Sequence, residues 1–218
     1  MSDRSRLLSL VLWPAVITLA VTLLRLAGEL LHWSPTFFSR EAGGAGAIIG
    51  IVWLVPVFGA YFAWKLVGAG EGPASIARAA LLPLISIAPV VLAGAVTQGR
   101  GFALAIAAFA AASFLSMWIA CQGWPALGRV LLAYALAARI PVALVMLVAI
   151  FGNWGTHYDV APPTPIPATG ALGKWVLIGL IPQMTVWIAF TMAVGGLVGA
   201  LTAAVARLRG AGEVRSAA

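Results

Sequence analysis

The stretch "LGRVLLAYALAARIPVALVMLVAIF", Leu127–Phe151, decides how this chain must fold. After Arg129 near its start it carries one further charge, Arg139, and Pro141 follows two positions later. An α-helix rises 1.5 Å per residue, so about 20 apolar residues cross the ~30 Å hydrocarbon layer of a bilayer. This stretch is long enough, and Arg139 then lies ~18 Å along it, close to the bilayer centre. A permanent cation at that depth costs roughly 2.5–3.5 kcal/mol on insertion scales. Pro141 adds to the difficulty, because it removes one N–H from the helix ladder and frees a carbonyl one turn earlier. The fold must offset both.

Working outward, the whole chain has the composition of a membrane protein. Of its 218 residues 62% are hydrophobic and only 9% charged, where a soluble domain carries about 25%. There is too little polar surface to coat a globule in water. The net charge of +7 is thirteen Lys and Arg against six Asp and Glu, and the basic residues other than Arg139 are scattered near the ends of apolar runs. That placement suits interface anchors beside anionic headgroups, and it gives no basic stripe for nucleic acid. Cys121 is the single cysteine, which excludes an intrachain disulfide and a cysteine-based metal site. The apolar run Leu7–Leu24 exceeds the roughly 7–15 residues of a signal-peptide core and is expected to be a retained first span.

The fold class expected is all-α: a polytopic integral membrane protein, one transmembrane domain over residues 1–218, with six spans. These are placed at about 7–30, 45–66, 74–96, 102–122, 127–151 and 173–198. The sixth apolar pattern continues toward Leu208 and is too long for one upright crossing. Counting Lys and Arg puts Arg4, Arg6, Lys65, Arg78, Arg129, Arg207, Arg209 and Arg215 on one face. The other face holds Arg25, Arg40, Arg100 and Lys174. Positive charge is retained on the cytoplasmic side, so an inner-membrane protein with both termini inside is expected. Trp33, Trp154 and Trp175 mark the outer rim and Trp64 and Trp124 the inner one; Trp13, Trp53, Trp118 and Trp187 read as deeper packing residues. A proline-rich outer loop over 152–172 is expected to be a stiff cap.

The midplane supplies the partners expected around Arg139. Thr18, Ser86, Ser113, Gln183 and Thr185 fall near its depth, as do Pro56, Pro83, Pro89, Pro141 and Pro182. Broken backbone at membrane depth survives only inside protein or along a wet cavity. Arg139 is therefore expected to face inward, to hydroxyls, an amide and freed carbonyls. No carboxylate lies at that level, since Glu29 sits at the outer end of its helix. A cation ringed by neutral groups suits an anion or a carbonyl-bearing ligand. The competing reading is that Ser and Thr merely bond back to their own helices.

The outer face gathers Glu29, His32, His157 and Asp159. No zincin-type histidine spacing is present, no cofactor or metal is assigned, and Arg25 with Glu29 has the i,i+4 spacing of a simple helix pair. No nucleotide loop or nucleophile elbow appears in the sequence. Gly46 with Gly50 and Gly195 with Gly199 have GxxxG spacing, and Ala103, Ala107 and Ala111 form a stripe. Such faces pack helices within a bundle, in a homo-oligomer or against partners in a membrane complex. Three function classes follow. The first is a small permease or channel-like protein with an anion-tolerant midplane site. The others are a non-catalytic subunit of a membrane complex, and an enzyme built from the outer-face residues.

Overall fold

A computed structural model describes residues 3–44, 46–161 and 166–216, with side chains between 5 and 209. The chain is all-α: 78% is helical, and the described residues form no strand. Six helical segments are long and apolar enough to cross a membrane: Ser5–Leu30, Ile51–Gly68, Ile76–Thr97, Phe102–Gly123, Pro125–Gly152 and Ala171–Arg209. The first is helix α1 (Asp3–Leu30). The second is a short 3-10 turn followed by α2 (Leu54–Gly68). The third is α3 (Ile76–Ile85) and α4 (Ile87–Thr97), interrupted at Ser86. Pro83 and Pro89 bracket that interruption, and Pro89 has no N–H to give to the Ile85 carbonyl. Helices α5 (Phe102–Gly123) and α6 (Pro125–Gly152) make the fourth and fifth spans.

The sixth span is the least regular. It begins with α7 (Ala171–Lys174), widens into a π-helical segment over Trp175–Leu180, and continues as α8 (Ile181–Met184). A break at Thr185 (φ −121°, ψ −81°) then leads into α9 (Val186–Ser216). Pro182 and the π segment explain the irregularity, since each removes or displaces ladder bonds. The overlong apolar pattern is thus one interrupted helix that continues past the length of a single crossing.

Two faces of the bundle are built differently. At one, Arg6 pairs with Glu71, Arg207 donates to the Pro73 carbonyl, and the Trp124 indole donates to Glu71 O at 2.9 Å. Both ends of the chain therefore lie at the same face, with the loop between the second and third spans. At the opposite face the loops over 31–50 and 153–161 pack on the end of α1. Arg40 there donates to Gly155 O at 2.8 Å. Residues 162–165 of the proline-rich loop, and the side chains of Arg4 and Arg215, lie outside what is described.

Three expectations need correction. Gly46–Gly50 is not a helix face. Gly43, Gly44 and Gly46 take positive φ (72°, 72° and 80°), and helix begins only at Ile51, so the second span is shorter than 45–66. Glycine reaches those angles without steric cost, and here they curl the chain over α1. Trp13, Trp53 and Trp118 are not packing residues. They are exposed on the perimeter, at 67%, 67% and 63%, among the large apolar side chains a lipid-facing surface would present. Finally, Trp124 is 5% exposed and belongs to the core instead of a rim.

Packing divides at the middle of α6. Its first half, with Leu127, Leu131 and Tyr134, packs on Phe58 and Phe62 of α2 and on Ile188 and Met192 of α9. Its second half, with Val142, Met146 and Ala149, packs on Tyr158 from the loop face. Gly195 and Gly199 work inside the bundle: a Cβ on Gly59 of α2 would sit 2.6 Å from Gly195 O, and one on Gly199 would meet Leu127 at 2.4 Å. Small residues let α2 and α9 approach backbone to backbone. Ala103, Ala107 and Ala111 lie exposed on α5.

The Gly59 contact predicts a measurable cost. Gly59→Ala, forced against the backbone of α9, should lower stability in detergent by roughly 1–3 kcal/mol, the usual range for overpacking. Gly68→Ala, where a Cβ meets nothing within 4 Å, should leave the thermal midpoint unchanged or slightly raised. Thermal unfolding followed by circular dichroism separates the two.

Candidate functional site

Arg139 stands at the junction of the two packed halves and is 4% exposed. Its guanidinium lies over the Trp187 ring, 4.7 Å from the centroid. Cation–π contact of this kind recovers roughly 0.5–2 kcal/mol. Its Nη1 faces Gln183 Oε1 at 3.5 Å, the outer limit of a hydrogen bond. Its Nε is buried without any hydrogen-bond partner. Gln183 in turn gives its amide N–H₂ only to the Met146 sulfur, at 3.7 Å, and thioether sulfur is a weak acceptor. Two strong donors in an apolar setting therefore lack a strong acceptor. Gln183 and Trp187 reach Arg139 together because they are four apart, on one face of the interrupted sixth span.

Arg139, Gln183 and Trp187 line a cavity of about 330 Å³. It extends from this level up to the loop face, where Thr22, Arg25, Gly44, His157 and Tyr158 line it. Its sides are apolar and include Val142, Met146, Leu177 and Ile178. On the side of the chain termini, the packed layer around Tyr134 separates it from that face. Tyr134 lies 5.3 Å and 5.5 Å, ring to ring, from Phe58 and Phe62, and its hydroxyl meets Thr18 Oγ1 at 2.9 Å.

The loop end of the cavity holds a second polar group, and this one is fully paired. Glu29, with no exposed surface, accepts from Arg25 Nε at 2.8 Å and from the His157 backbone N–H at 2.8 Å. His157 Nδ1 lies 2.5 Å from the same carboxylate. A carboxylate accepts only, so Nδ1 carries the proton and Nε2 is left as the free imidazole nitrogen. Arg25 also donates through Nη2 to Ser39 O at 3.2 Å and Gly44 O at 3.1 Å. The glycines permit this approach, since a Cβ on Gly44 would come within 2.9 Å of both Arg25 and His157. Burial pushes the His157 imidazole below its usual range. The hydrogen bond it donates to Glu29 opposes that shift, and the neighbouring Arg25 charge reinforces it.

The remaining residues singled out in the sequence are placed elsewhere. Thr18, Ser86, Ser113 and Thr185 are buried, but each hydroxyl donates to a carbonyl of its own helix: Pro14 O at 2.7 Å, Pro83 O at 2.6 Å, Phe109 O at 2.7 Å and Ile181 O at 2.7 Å. They are not among the residues lining the cavity. Of the expected polar layer, the structure brings together Arg139 and Gln183. Asp159 caps its own turn, accepting from the Gly155 and Thr156 N–H groups and the Thr156 hydroxyl at 2.7–2.8 Å. His32 is exposed at the end of α1, with its ring against Leu30 O. The outer-face set therefore reduces to Glu29 with His157, joined by Arg25. Among the described residues no group of three His, Cys, Asp or Glu gathers in a metal-binding arrangement. Trp187 and Tyr158 went unread in the sequence as site residues. For Trp187 the i,i+4 spacing to Gln183 was the available signal; for Tyr158 there was none.

Comparison with protein-family models, with curated proteins and with solved structures finds no match to this chain. Function rests on the geometry.

The His157 environment predicts an acid-sensitive fold. The folded imidazole binds its proton below the ordinary value of 6.5, so the unfolded chain binds more protons as pH falls past that value. Stability should therefore drop as pH is lowered from about 6.5 toward the folded-state midpoint, and be regained above it. A thermal-midpoint series from pH 8 to 5 should show this slope in the native chain and a shallower one in His157→Gln.

Proposed function

We propose that this multi-pass protein is a small permease or channel-like protein whose cavity binds a small organic anion at Arg139. One observation carries the reading: a buried guanidinium lines a cavity with Nε unpartnered and, among the described residues, no carboxylate paired with it. Leaving a buried charge uncompensated is costly, and truncating one partner of such a pair typically costs roughly 2–5 kcal/mol. A carboxylate or sulfonate group relieves that deficit. Two of its oxygens can accept from the edge of the guanidinium, which is the geometry arginine favours, while Trp187 covers the face. The Gln183 amide adds another donor.

The cavity also limits the rest of the ligand. Its ~330 Å³ sits at the small end of the ~300–1,000 Å³ range of ligand pockets. Its apolar walls favour a compact apolar body over a sugar or a polyanion. An aromatic or short aliphatic monoanion meets both demands. Release toward the face of the chain termini requires the Tyr134 layer to part. Pro141, the π-helical segment and the break at Thr185 are the interrupted backbone beside it, where such motion is least expensive.

The reading is tested with benzenesulfonate, which stays ionised and does not leak through lipid as a neutral acid. Proteoliposomes of the native chain should take it up above protein-free vesicles. Arg139→Gln should reduce both equilibrium binding and uptake more than tenfold, and Arg100→Gln, at an exposed loop position, should leave them unchanged. Uptake that survives Arg139→Gln in a folded protein rejects the proposal.

A further inference from the structure

The loop end of the cavity has a feature that anion binding alone does not need: an imidazole whose orientation is set by a buried carboxylate. His157 Nδ1 is committed to Glu29, and the hydrogen bonds of His157 among the described residues run through its backbone N–H and Nδ1, which leaves Nε2 open. The ring lines the same cavity as Arg139. Its charged and titratable surroundings come from several elements. From α1, Arg25 and Glu29 face it. Its own loop contributes Asp159, and Tyr158, whose ring centroid lies 3.8 Å away. From the 31–50 loop the backbone at Gly44 approaches it, and Arg40 there donates to Gly155 O. Across the cavity stands Arg139 on α6.

We propose that His157 is a proton-binding site coupled to the anion site, so that the cavity loads one anion and one proton together. The proposal rests on the anion-site reading and names its co-ligand. The charges explain the coupling. On the cavity lining the Arg25 charge is cancelled by Glu29 and that of Arg139 is left unpaired, while Asp159 lies off the lining, bound to its own turn. A second cation on His157, buried beside Arg25, is then unfavourable. An anion seated on Arg139 removes that excess charge and places its own negative charge in the space between the two ends. The imidazole then gains a proton: solvent at the loop face gives H⁺ to Nε2, one N–H bond forms, and Glu29 holds the resulting imidazolium through Nδ1.

Geometry sets the size of the effect. Thr18 of α1 and Tyr134 of α6 share a level through their hydrogen bond. At 1.5 Å per residue Arg139 stands ~7.5 Å above that level and Glu29 ~16.5 Å, so the two ends are ~9 Å apart along the bundle. Unit charges about 10 Å apart, at an effective dielectric constant near 20, shift a titration midpoint by about one pH unit. Linkage is reciprocal. A one-unit rise in the His157 midpoint on anion binding means that anion affinity improves by up to about tenfold as pH falls through the window.

The chain has two histidines, His32 and His157, so proton NMR of the imidazole Hε1 in a His32→Gln background reports His157 alone. The full-length protein in detergent should titrate below pH 6.5 when empty. With saturating benzenesulfonate the midpoint should rise by about one unit, and the dissociation constant should fall severalfold, by about three- to sixfold, between pH 8 and pH 6. His157→Gln, which keeps an N–H donor for Glu29, should bind benzenesulfonate with no pH dependence over that range. Should this variant fail to fold, Glu29→Gln serves instead, and its pH response should be weakened and displaced to lower pH. Saturable binding with an unmoved His157 midpoint overturns the coupling and leaves the anion site standing. Absence of saturable binding to the native chain at any pH from 6 to 8 overturns both.

Discussion

A guanidinium in the middle of an apolar bundle, with no carboxylate to meet it, is the constraint around which this protein is arranged. Arg139 cannot shed its proton as a buried lysine can, and at 4% exposure it has little water to fall back on unless the cavity admits some. The bundle answers in part. Trp187 offers its ring face and Gln183 a distant carbonyl oxygen, while Nε goes without. The aromatic layer of Tyr134, Phe58 and Phe62 lies on one side of this level and the cavity on the other. This incomplete solution, held in place beside a cavity, is the observation on which the proposed anion site rests.

The loop end shows what a complete solution looks like in the same chain. Arg25 is also nearly buried, yet it donates to Glu29 and to two backbone carbonyls. One carbonyl is that of Ser39, and the other is that of Gly44, in a glycine-rich segment with positive φ. The contrast separates structure from function. Arg25 ties α1 to the 31–50 loop and Glu29 ties it to the 153–161 loop, whereas Arg139 meets the sixth span only through the Trp187 ring and a long contact to Gln183. The π segment and the break at Thr185 lie beside Arg139, where Pro141 also leaves one ladder bond of the continuous α6 unmade. Irregular helix of this kind is common at functional positions because it costs stability and is kept where motion or exposed backbone is useful.

Much of this was legible in the sequence, and the limits have physical causes. Apolar runs of sufficient length marked six helices, and the depth of Arg139 followed from counting residues. The 45–66 boundary failed because glycines read as a packing motif were turn residues. Spacing alone does not distinguish φ near +75° from a helical φ. The hydroxyls of Thr18, Ser86, Ser113 and Thr185 were placed at the right depth, but depth says nothing of azimuth, and each bonds to its own helix. Glu29 was read at the outer end of its helix, away from Arg139, and it is paired there with Arg25 and His157. Its pairing with His157 joins residues 128 positions apart, a contact that local pattern cannot reveal. The tryptophans erred in the opposite sense: burial rules learned in water place indole inside, whereas in lipid the outside is equally apolar.

The central claim is that Arg139 is the anchor of an anion. It is tested most directly by determining the structure of the full chain with 4-iodobenzoate, whose iodine can be located by anomalous scattering. The account predicts iodine within the cavity, near Leu177 and Ile178, and the carboxylate within about 2.7–3.2 Å of Arg139 Nε. A cavity empty of iodine at saturating ligand, or Arg139 Nε bonded to a protein carboxylate, would contradict it.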